Sequence, residues 1–313
     1  MSLVPTAKRP VIIDCDPGND DAFALMLAFA SPELRVLAVT VVGGNVGLER
    51  TLANALSLVA LARSSAPVFA GADRPLLGAF RAEPNIQGDD GLGGVRLPRG
   101  GDPQPQHAVD AIRQILRETP EPVTLIGIGP ATNLALALAT EPALADRIAQ
   151  IVLMAGAWGE GNITPAAEFN AHNDPEALQI VLACGRPIVL ATLEVTAQAL
   201  ATPDRLRSLR GAGSGRCLHA VCDIQASIRP SPRLGGIGAP LHDPCAVAWL
   251  IRPELFTSRD CPAAVDLAPG ADRGRTIIDR WGRTNLPPNV TVLESLDGCG
   301  FFELLGERLA GLP

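Results

Sequence analysis

Val11-Ile12-Ile13-Asp14-Cys15-Asp16-Pro17-Gly18-Asn19-Asp20-Asp21-Ala22 is the stretch that decides the fold of this chain. Val11, Ile12 and Ile13 form a short apolar run bounded by turn residues, the pattern of a buried strand. Pro17 and Gly18 stop that strand and turn the backbone. Asp20 and Asp21 then open an apolar helical stretch over residues 20–30. Four aspartates (14, 16, 20 and 21) therefore crowd at one strand end. Carboxylates packed so closely repel one another strongly where the dielectric is low. Either their pKa values rise and some stay protonated, or a cation neutralises them. Hard oxygen donors at this density suit Ca²⁺ or Mg²⁺ rather than zinc. A solvated turn with helix-capping aspartates is the plainer alternative. Capping uses one or two acids and leaves the others unexplained.

Outward from this stretch, β-rich runs alternate with helical ones. Strands are expected at 11–16, 35–42, 67–70, 123–128, 151–155 and 187–191, and helices at 20–30, 48–63, 108–118, 131–139 and 175–184. The alternation predicts an α/β fold with a mostly parallel central sheet flanked by helices. Ligands of such sheets gather at the carboxyl ends of the strands. Three of those ends carry distinctive polar sequence: 14–21, Gly43-Gly44-Asn45, and 156–173. Past residue 200 the pattern becomes irregular, with helical pieces at 203–209, 216–226 and 244–250. Short strands follow at 263–267, 275–278 and 290–293, and a last helix at 301–310. No linker divides the chain, so a single domain over 1–313 is expected. The Gly/Pro-rich segment 71–101, with Asp89-Asp90-Gly91-Leu92-Gly93-Gly94, is long enough to be a functional loop.

Composition narrows the function. The 313 residues are 47% hydrophobic and 19% charged, enough for a large core and too apolar for a disordered chain. A net charge of -7 opposes binding to a nucleic-acid backbone. Aromatics at 4% and the absence of Tyr argue against a base-stacking surface for single strands. The seven cysteines are scattered, odd in number and free of CxxC pairs, as expected of reduced thiols in a cytoplasm. Residues 1–10 carry no apolar core of the signal-peptide type, and no run of eighteen apolar residues predicts a membrane span.

Three further segments bear chemistry. In Gly159-Glu160-Gly161-Asn162-Ile163-Thr164-Pro165-Ala166-Ala167-Glu168-Phe169-Asn170-Ala171-His172-Asn173-Asp174-Pro175, the side chains of Asn162, Glu168, Asn170 and Asn173 offer the donors and acceptors that read sugar hydroxyls. Asp174 is expected only to cap the next helix. Leu241-His242-Asp243-Pro244 places an acid directly before an apolar helix with Pro at its first position. Ile126-Gly127-Ile128-Gly129-Pro130-Ala131-Thr132-Asn133 ends a strand in a Gly-rich turn whose carbonyls suit a cation.

Taken in order, these segments resemble the inosine/uridine-preferring nucleoside hydrolase family. The likeness runs from the 14–22 motif through Val42-Gly43-Gly44-Asn45, Gly129-Pro130-Ala131-Thr132-Asn133, Met154 with 159–170, and His242-Asp243-Pro244. It ends on Thr276-Ile277-Ile278-Asp279 and Pro288-Asn289-Val290. The resemblance implies a Rossmann-like fold with an irregular helical C-terminal portion, and hydrolysis of the N-glycosidic bond of ribonucleosides to free base and ribose. It implies one Ca²⁺ per subunit on Asp16, Asp21, Asp243 and the Ile128 carbonyl, with Asp14 as the carboxylate behind the site. Asp20, Asn45, Asn162, Glu168 and Asn170 would bind the ribose hydroxyls and Met154 would pack on the sugar. Inverting attack of a metal-activated water would use Asp16 as general base, and His242 would protonate the base. A homodimer or homotetramer is expected.

The sequence departs from the family near the base. Gln87 stands where members often carry His, and Ala226-Ser227-Ile228-Arg229-Pro230 where many carry an aromatic pair. Phe80, Trp158 and Trp281 are candidates for stacking; His107, His172 and His219 are expected to be structural. Two other readings stay open here. Asp14-x-Asp16 after an apolar strand also resembles Mg²⁺-dependent phosphatases with an aspartyl nucleophile. A non-catalytic nucleoside- or ribose-binding protein is the other.

Overall fold

The computed structural model describes residues 8–82 and 88–313. Strand β1 (Arg9–Cys15) lies inside an eight-stranded sheet. Its parallel neighbours are β2 (Leu34–Val41) and β4 (Val123–Gly127). Beyond β2 comes β3 (Val68–Ala70), and beyond β4 come β5 (Ile148–Met154) and β6 (Ile188–Ala191). Two late strands, β12 (Val290–Leu296) and β9 (Phe256–Cys261), complete the sheet. The order is β3-β2-β1-β4-β5-β6-β12-β9, so the direction of winding reverses between β1 and β4. A crevice opens at the carboxyl ends of strands where winding reverses, and ligands use it. Asp14, opposite Thr40 on one side and Gly127 on the other, stands at that point.

Successive β1 side chains face opposite ways, as a strand requires. Val11, Ile13 and Cys15 join one buried apolar cluster and Ile12 joins the other, so both faces of the sheet are covered. The first cluster contains α1 (Asn19–Ala30), α2 (Leu48–Leu61), α9 (Arg216–Ala226), α10 (Pro244–Ile251) and α11 (Gly298–Leu309). The second contains α3 (Ala108–Glu118), α4 (Thr132–Thr140) and α6 (Pro175–Leu182). Short helices α5 (Phe169–Asn173) and α7 (Leu193–Thr196) follow β5 and β6. Helix α8 (Pro203–Arg210) precedes α9.

Helix α1 is apolar and buried nearly all round, with Ala22 to Leu27 inaccessible, the mark of a core helix rather than a surface one. It packs on α10, which is similarly apolar. This pairing sets the first turn of α1, with Asp20 and Asp21, beside the start of α10, with Asp243.

The six expected strands and five helices of the first two-thirds are present, most with ends moved by one or two residues. The C-terminal third contributes more sheet than its irregular pattern suggests. Strand β12 adds in parallel to β6, and β9 pairs antiparallel to β12 at the edge. The sequence reading assigns no strand to 256–261. Its four middle residues, Thr257-Ser258-Arg259-Asp260, are exposed and polar, so no alternation marks it; a charged edge of this kind discourages pairing with other chains. Small pairs form between β7 (Leu200–Ala201) and β8 (Ala239–Pro240), and between β10 (Ala263–Val265) and β11 (Thr276–Ile278). No described helix is long and apolar enough to cross a membrane.

Candidate active site

A cleft at the winding reversal is lined by Asp16, Asp20, Asn45, Ile128, Met154, Asn162, Glu168, Asn170, His242 and Asp243, joined by Ile163 and Phe169. Ten residues expected at the site thus share one cavity. Asp21 lies beneath it, fully buried, and Asp14 stands deeper still at the end of β1.

The turn after β1 is shaped by its own acids. Asp21 Oδ2 accepts from the Gly18 amide at 2.9 Å, which starts α1. Asn45, after β2, donates its backbone amide to Asp16 Oδ2 at 2.7 Å. Its side-chain nitrogen donates to the Asp16 carbonyl at 3.0 Å and to Asp21 Oδ2 at 3.1 Å. One asparagine therefore ties both acids together. The glycines beside it are required by contact. A Cβ on Gly44 would lie 2.1 Å from Asp16 Oδ2, and one on Gly129 would lie 2.6 Å from Asp16 Oδ1. The two Gly-rich turns form a cradle around a single carboxylate.

Carboxyl oxygens of Asp20, Asp21 and Asp243 lie within 4.8 Å of one another. Asp20 thus shares the acid cluster, although the sequence reading gives it to the ribose. Asp16 opens into the same cleft while bonded to Asn45. Asp21 Oδ1 meets no N–H or O–H donor among the described residues. It approaches Asp243, and two carboxyls bond only while one of them keeps a proton.

Burial raises the pKa of Asp14, Asp16, Asp21 and Asp243. Asp21 is pushed to about 7 by burial and then by the charge of Asp20. Asp16 rises well above the usual carboxylate range through burial and the charge of Asp21. Asp243 rises through burial and the charges of Asp20, Asp21 and Asp16. Asp14 is pushed to about 7 by burial, against hydrogen bonds from Thr40 at 2.5 Å and Asn133 at 2.9 Å. Such a set of buried, mutually repelling hard oxygens, one without a donor, fits a divalent cation.

On the opposite wall, Glu168 caps α5. Its Oε1 accepts from the Asn170 amide at 2.8 Å, and its Oε2 from the amides of Gly156 at 2.8 Å and Ala171 at 3.0 Å. Three of about four acceptor positions are filled, leaving one for a hydroxyl. Burial raises its pKa against these three bonds. Asn170 Nδ2 donates to the carbonyls of Ile128 at 2.9 Å and Met154 at 3.0 Å. That aligns Ile128, Met154 and Asn170 along one side of the cleft. Asn162 Oδ1 accepts from the Phe169 amide at 2.8 Å.

His242 enters from the far side. Its backbone amide donates to Asp20 Oδ2 at 3.1 Å, and its Nδ1 lies 2.7 Å from the Thr196 hydroxyl. Burial lowers its pKa; the charge of Asp20 opposes this and that of Arg233 adds to it.

The remaining polar and aromatic candidates lie elsewhere. Asp174 caps α6 through the Ala177 amide at 3.1 Å. Asn173 does not line the cleft: its Oδ1 accepts from the Arg81 amide at 2.6 Å. His107 caps α3, His172 faces the Arg273 carbonyl and His219 the Gly213 carbonyl, all away from the cleft. Trp158 is covered by the Arg280 guanidinium, 4.3 Å from its ring centre. Trp281 is 80% exposed, and Phe80 abuts Gly43. None of the three lines the cleft, where Phe169 is the aromatic group. Gln87 lies outside the described residues.

Sequence reasoning missed Thr40 and Thr196, and gave Asn133 no role. Each acts by holding another side chain, and only the Gly129–Asn133 motif hinted at one of them. No Lys or Arg lines the cleft among the described residues, so it lacks the cation that the aspartyl-phosphatase reading needs at its phosphate.

Comparison with known proteins agrees with this geometry. The model of the inosine-uridine preferring nucleoside hydrolase family matches residues 11–303. The pyrimidine-specific ribonucleoside hydrolase RihA of Photobacterium profundum is 45% identical, over 97% of this chain and 99% of its own. RihA of Shewanella sp. (strain ANA-3) is 44% identical over 97% and 96%. Among solved structures, a purine-preferring ribonucleoside hydrolase from Gardnerella vaginalis superposes with a TM-score of 0.88 at 30% identity, covering 97% of this chain and 98% of that one. The plant nucleoside hydrolase PpNRh1 gives 0.88 at 32%, covering 97% and 99%. The chain is an N-ribohydrolase and belongs to the inosine-uridine preferring nucleoside hydrolase family.

Proposed function

We propose that this enzyme cleaves pyrimidine ribonucleosides by direct, inverting displacement at the anomeric carbon, with a divalent cation, Ca²⁺, as its cofactor. The observation that carries the chemistry is the cleft itself: buried acids from both ends of the chain face the amide side chains of Asn45, Asn162 and Asn170. The pyrimidine preference is supported by relatives at 44–45% identity that are named pyrimidine-specific.

Asp16, Asp21, Asp243 and the Ile128 carbonyl would hold one cation per subunit, with Asp14 behind them. When bound, the cation supplies a polarised water that ionises near neutral pH. Asp16 takes a proton from the attacking water as general base. Asp20, Asn45, Asn162, Glu168 and Asn170 bind the ribose hydroxyls, and Met154 packs on the sugar. Their oxygens are fixed before substrate arrives, so they favour the positive charge that builds on the ribose as its C–N bond stretches. His242 delivers a proton to the departing base. The assembly, homodimer or homotetramer, rests on the family resemblance. A cytoplasmic location is supported by seven cysteines that are all unpaired.

The experiment is a kcat/KM panel over uridine, cytidine, inosine and adenosine, following free ribose. The proposal expects uridine or cytidine to lead. Inosine or adenosine in front would overturn the pyrimidine assignment, and no ribose from any of them would overturn the activity.

A further inference from the structure

We propose that Thr196 is a positioning residue that fixes both the orientation and the tautomer of His242, leaving Nε2 as the nitrogen that serves the base. This rests on the reading of His242 as the group that protonates the leaving base.

Thr196 is fully buried at the end of α7, the short helix that follows β6. Its Oγ1 lies 3.1 Å from the Thr192 carbonyl and 3.4 Å from that of Leu193. It lies 2.7 Å from His242 Nδ1, 46 residues on in sequence. A hydroxyl has one hydrogen and two acceptor positions. Threonines on helices commonly spend that hydrogen on the carbonyl four residues back. Here it separates two oxygens that would otherwise meet lone pair to lone pair. The hydroxyl is then an acceptor toward His242, and Nδ1 must carry hydrogen. In neutral imidazole only one nitrogen does so; Nε2 is therefore bare until it receives the proton it will transfer.

The backbone of His242 is fixed separately, by its bond to Asp20 Oδ2 at 3.1 Å. Two anchors, one on the main chain and one on the ring, hold the imidazole at the cleft wall. In the reaction the bond between the anomeric carbon and the base nitrogen breaks and its electron pair goes to the base. The Nε2 proton, taken up from bulk water beforehand, passes to the base, and His242 returns to the neutral ring with hydrogen on Nδ1; Asp16 later returns the proton it gains to bulk water. Water adds to the sugar carbon and gives its proton to Asp16. Without the Thr196 hydroxyl, the ring can turn and Nδ1 can lose its hydrogen, so Nε2 is no longer reserved for transfer.

Thr196→Val removes the hydroxyl at nearly constant volume, and Thr196→Ser restores it. Three readouts separate the possibilities. Nitrogen NMR of labelled histidine is expected to show His242 neutral with hydrogen on Nδ1 in the wild type and in Thr196→Ser. A mixture is expected in Thr196→Val. Turnover of uridine should fall about tenfold or more in Thr196→Val, within the range of a lost general acid. Turnover of p-nitrophenyl riboside, whose leaving group needs no proton, should stay within about twofold. Hydrogen on Nε2 with Nδ1 bare in the wild type, or equal slowing of both substrates by Thr196→Val, overturns the proposal. His242→Ala is the control for the parent reading. If it slows both substrates alike, His242 is not the acid, while the NMR still decides whether Thr196 sets its tautomer.

Discussion

The His242 backbone amide donates to the Asp20 carboxylate at 3.1 Å, joining positions 222 residues apart in the chain. The bond marks where the first turn of α1 meets the start of α10, and that meeting gathers the acids into one cluster. Neither helix start would hold so many carboxylates alone. The geometry makes the acids cooperative, so removing one changes what the others can bind.

Asp243→Ala should therefore weaken Ca²⁺ binding by about 100-fold, as loss of a group from a metal site does. Calorimetric titration with CaCl₂ measures it. Unchanged affinity would remove Asp243 from the ligand set.

Asp16→Asn keeps the shape of the side chain and its capacity to accept from the Asn45 amide. The fold and melting temperature should change little. Turnover should fall by about 10³-fold, because an amide takes up no proton from water. A kcat near the wild-type value would exclude Asp16 as the base.

Gly44→Ala tests the cradle. The added carbon would sit 2.1 Å from Asp16 Oδ2, a distance that no packing tolerates. Asp16 must move and lose its bond from Asn45. A fall in kcat of at least about tenfold is expected from so small a misplacement, with substrate KM less affected. A wild-type kcat would show that the position of Asp16 is not critical.

Stability should depend on pH with a defined sign. Asp14 and Asp21 hold protons up to about pH 7 in the folded chain, against an ordinary value of 3.8. Between those values the native state binds more protons than the unfolded one, so stability falls as pH rises. The cation-free enzyme should melt higher at pH 5 than at pH 8. Added Ca²⁺ should raise the melting temperature more at pH 8 than at pH 5, since binding favours the native state and needs ionised acids. Scanning calorimetry with and without chelator measures both trends. A cation-free melting temperature that rises from pH 5 to pH 8 would contradict the burial of these acids.

The parts of the site that are legible in the sequence are those in which residue type and local order carry the information. Val11 to Asp21 reads as strand, turn and helix because apolar run, Pro-Gly and acids follow in order. The polar ends of two other strands, at Gly43-Gly44-Asn45 and 156–173, point to the same edge of the sheet. Local order is silent about partners brought in from a distance. Asp14 meets Asn133 across 119 positions, and His242 meets Thr196 across 46; nothing near Thr196 in sequence distinguishes it from a helix residue bonded to its own backbone. Glu168 shows the converse. Its type and place suggest sugar binding, yet two of its acceptor positions cap a helix and a third holds the Gly156 amide after β5. Strand β9 escaped because an edge strand with four exposed polar residues carries no apolar period.

The account depends on a cation bridging the first turn of α1 and the residue preceding α10. A crystal structure of the enzyme grown with CaCl₂ tests this most directly. The account predicts one fully occupied Ca²⁺ per subunit touching carboxylate oxygens of both Asp21 and Asp243, at the oxygen distances of about 2.3–2.6 Å usual for this ion. Crystals that hold no ion there, or an ion with Asp243 turned away, would contradict it.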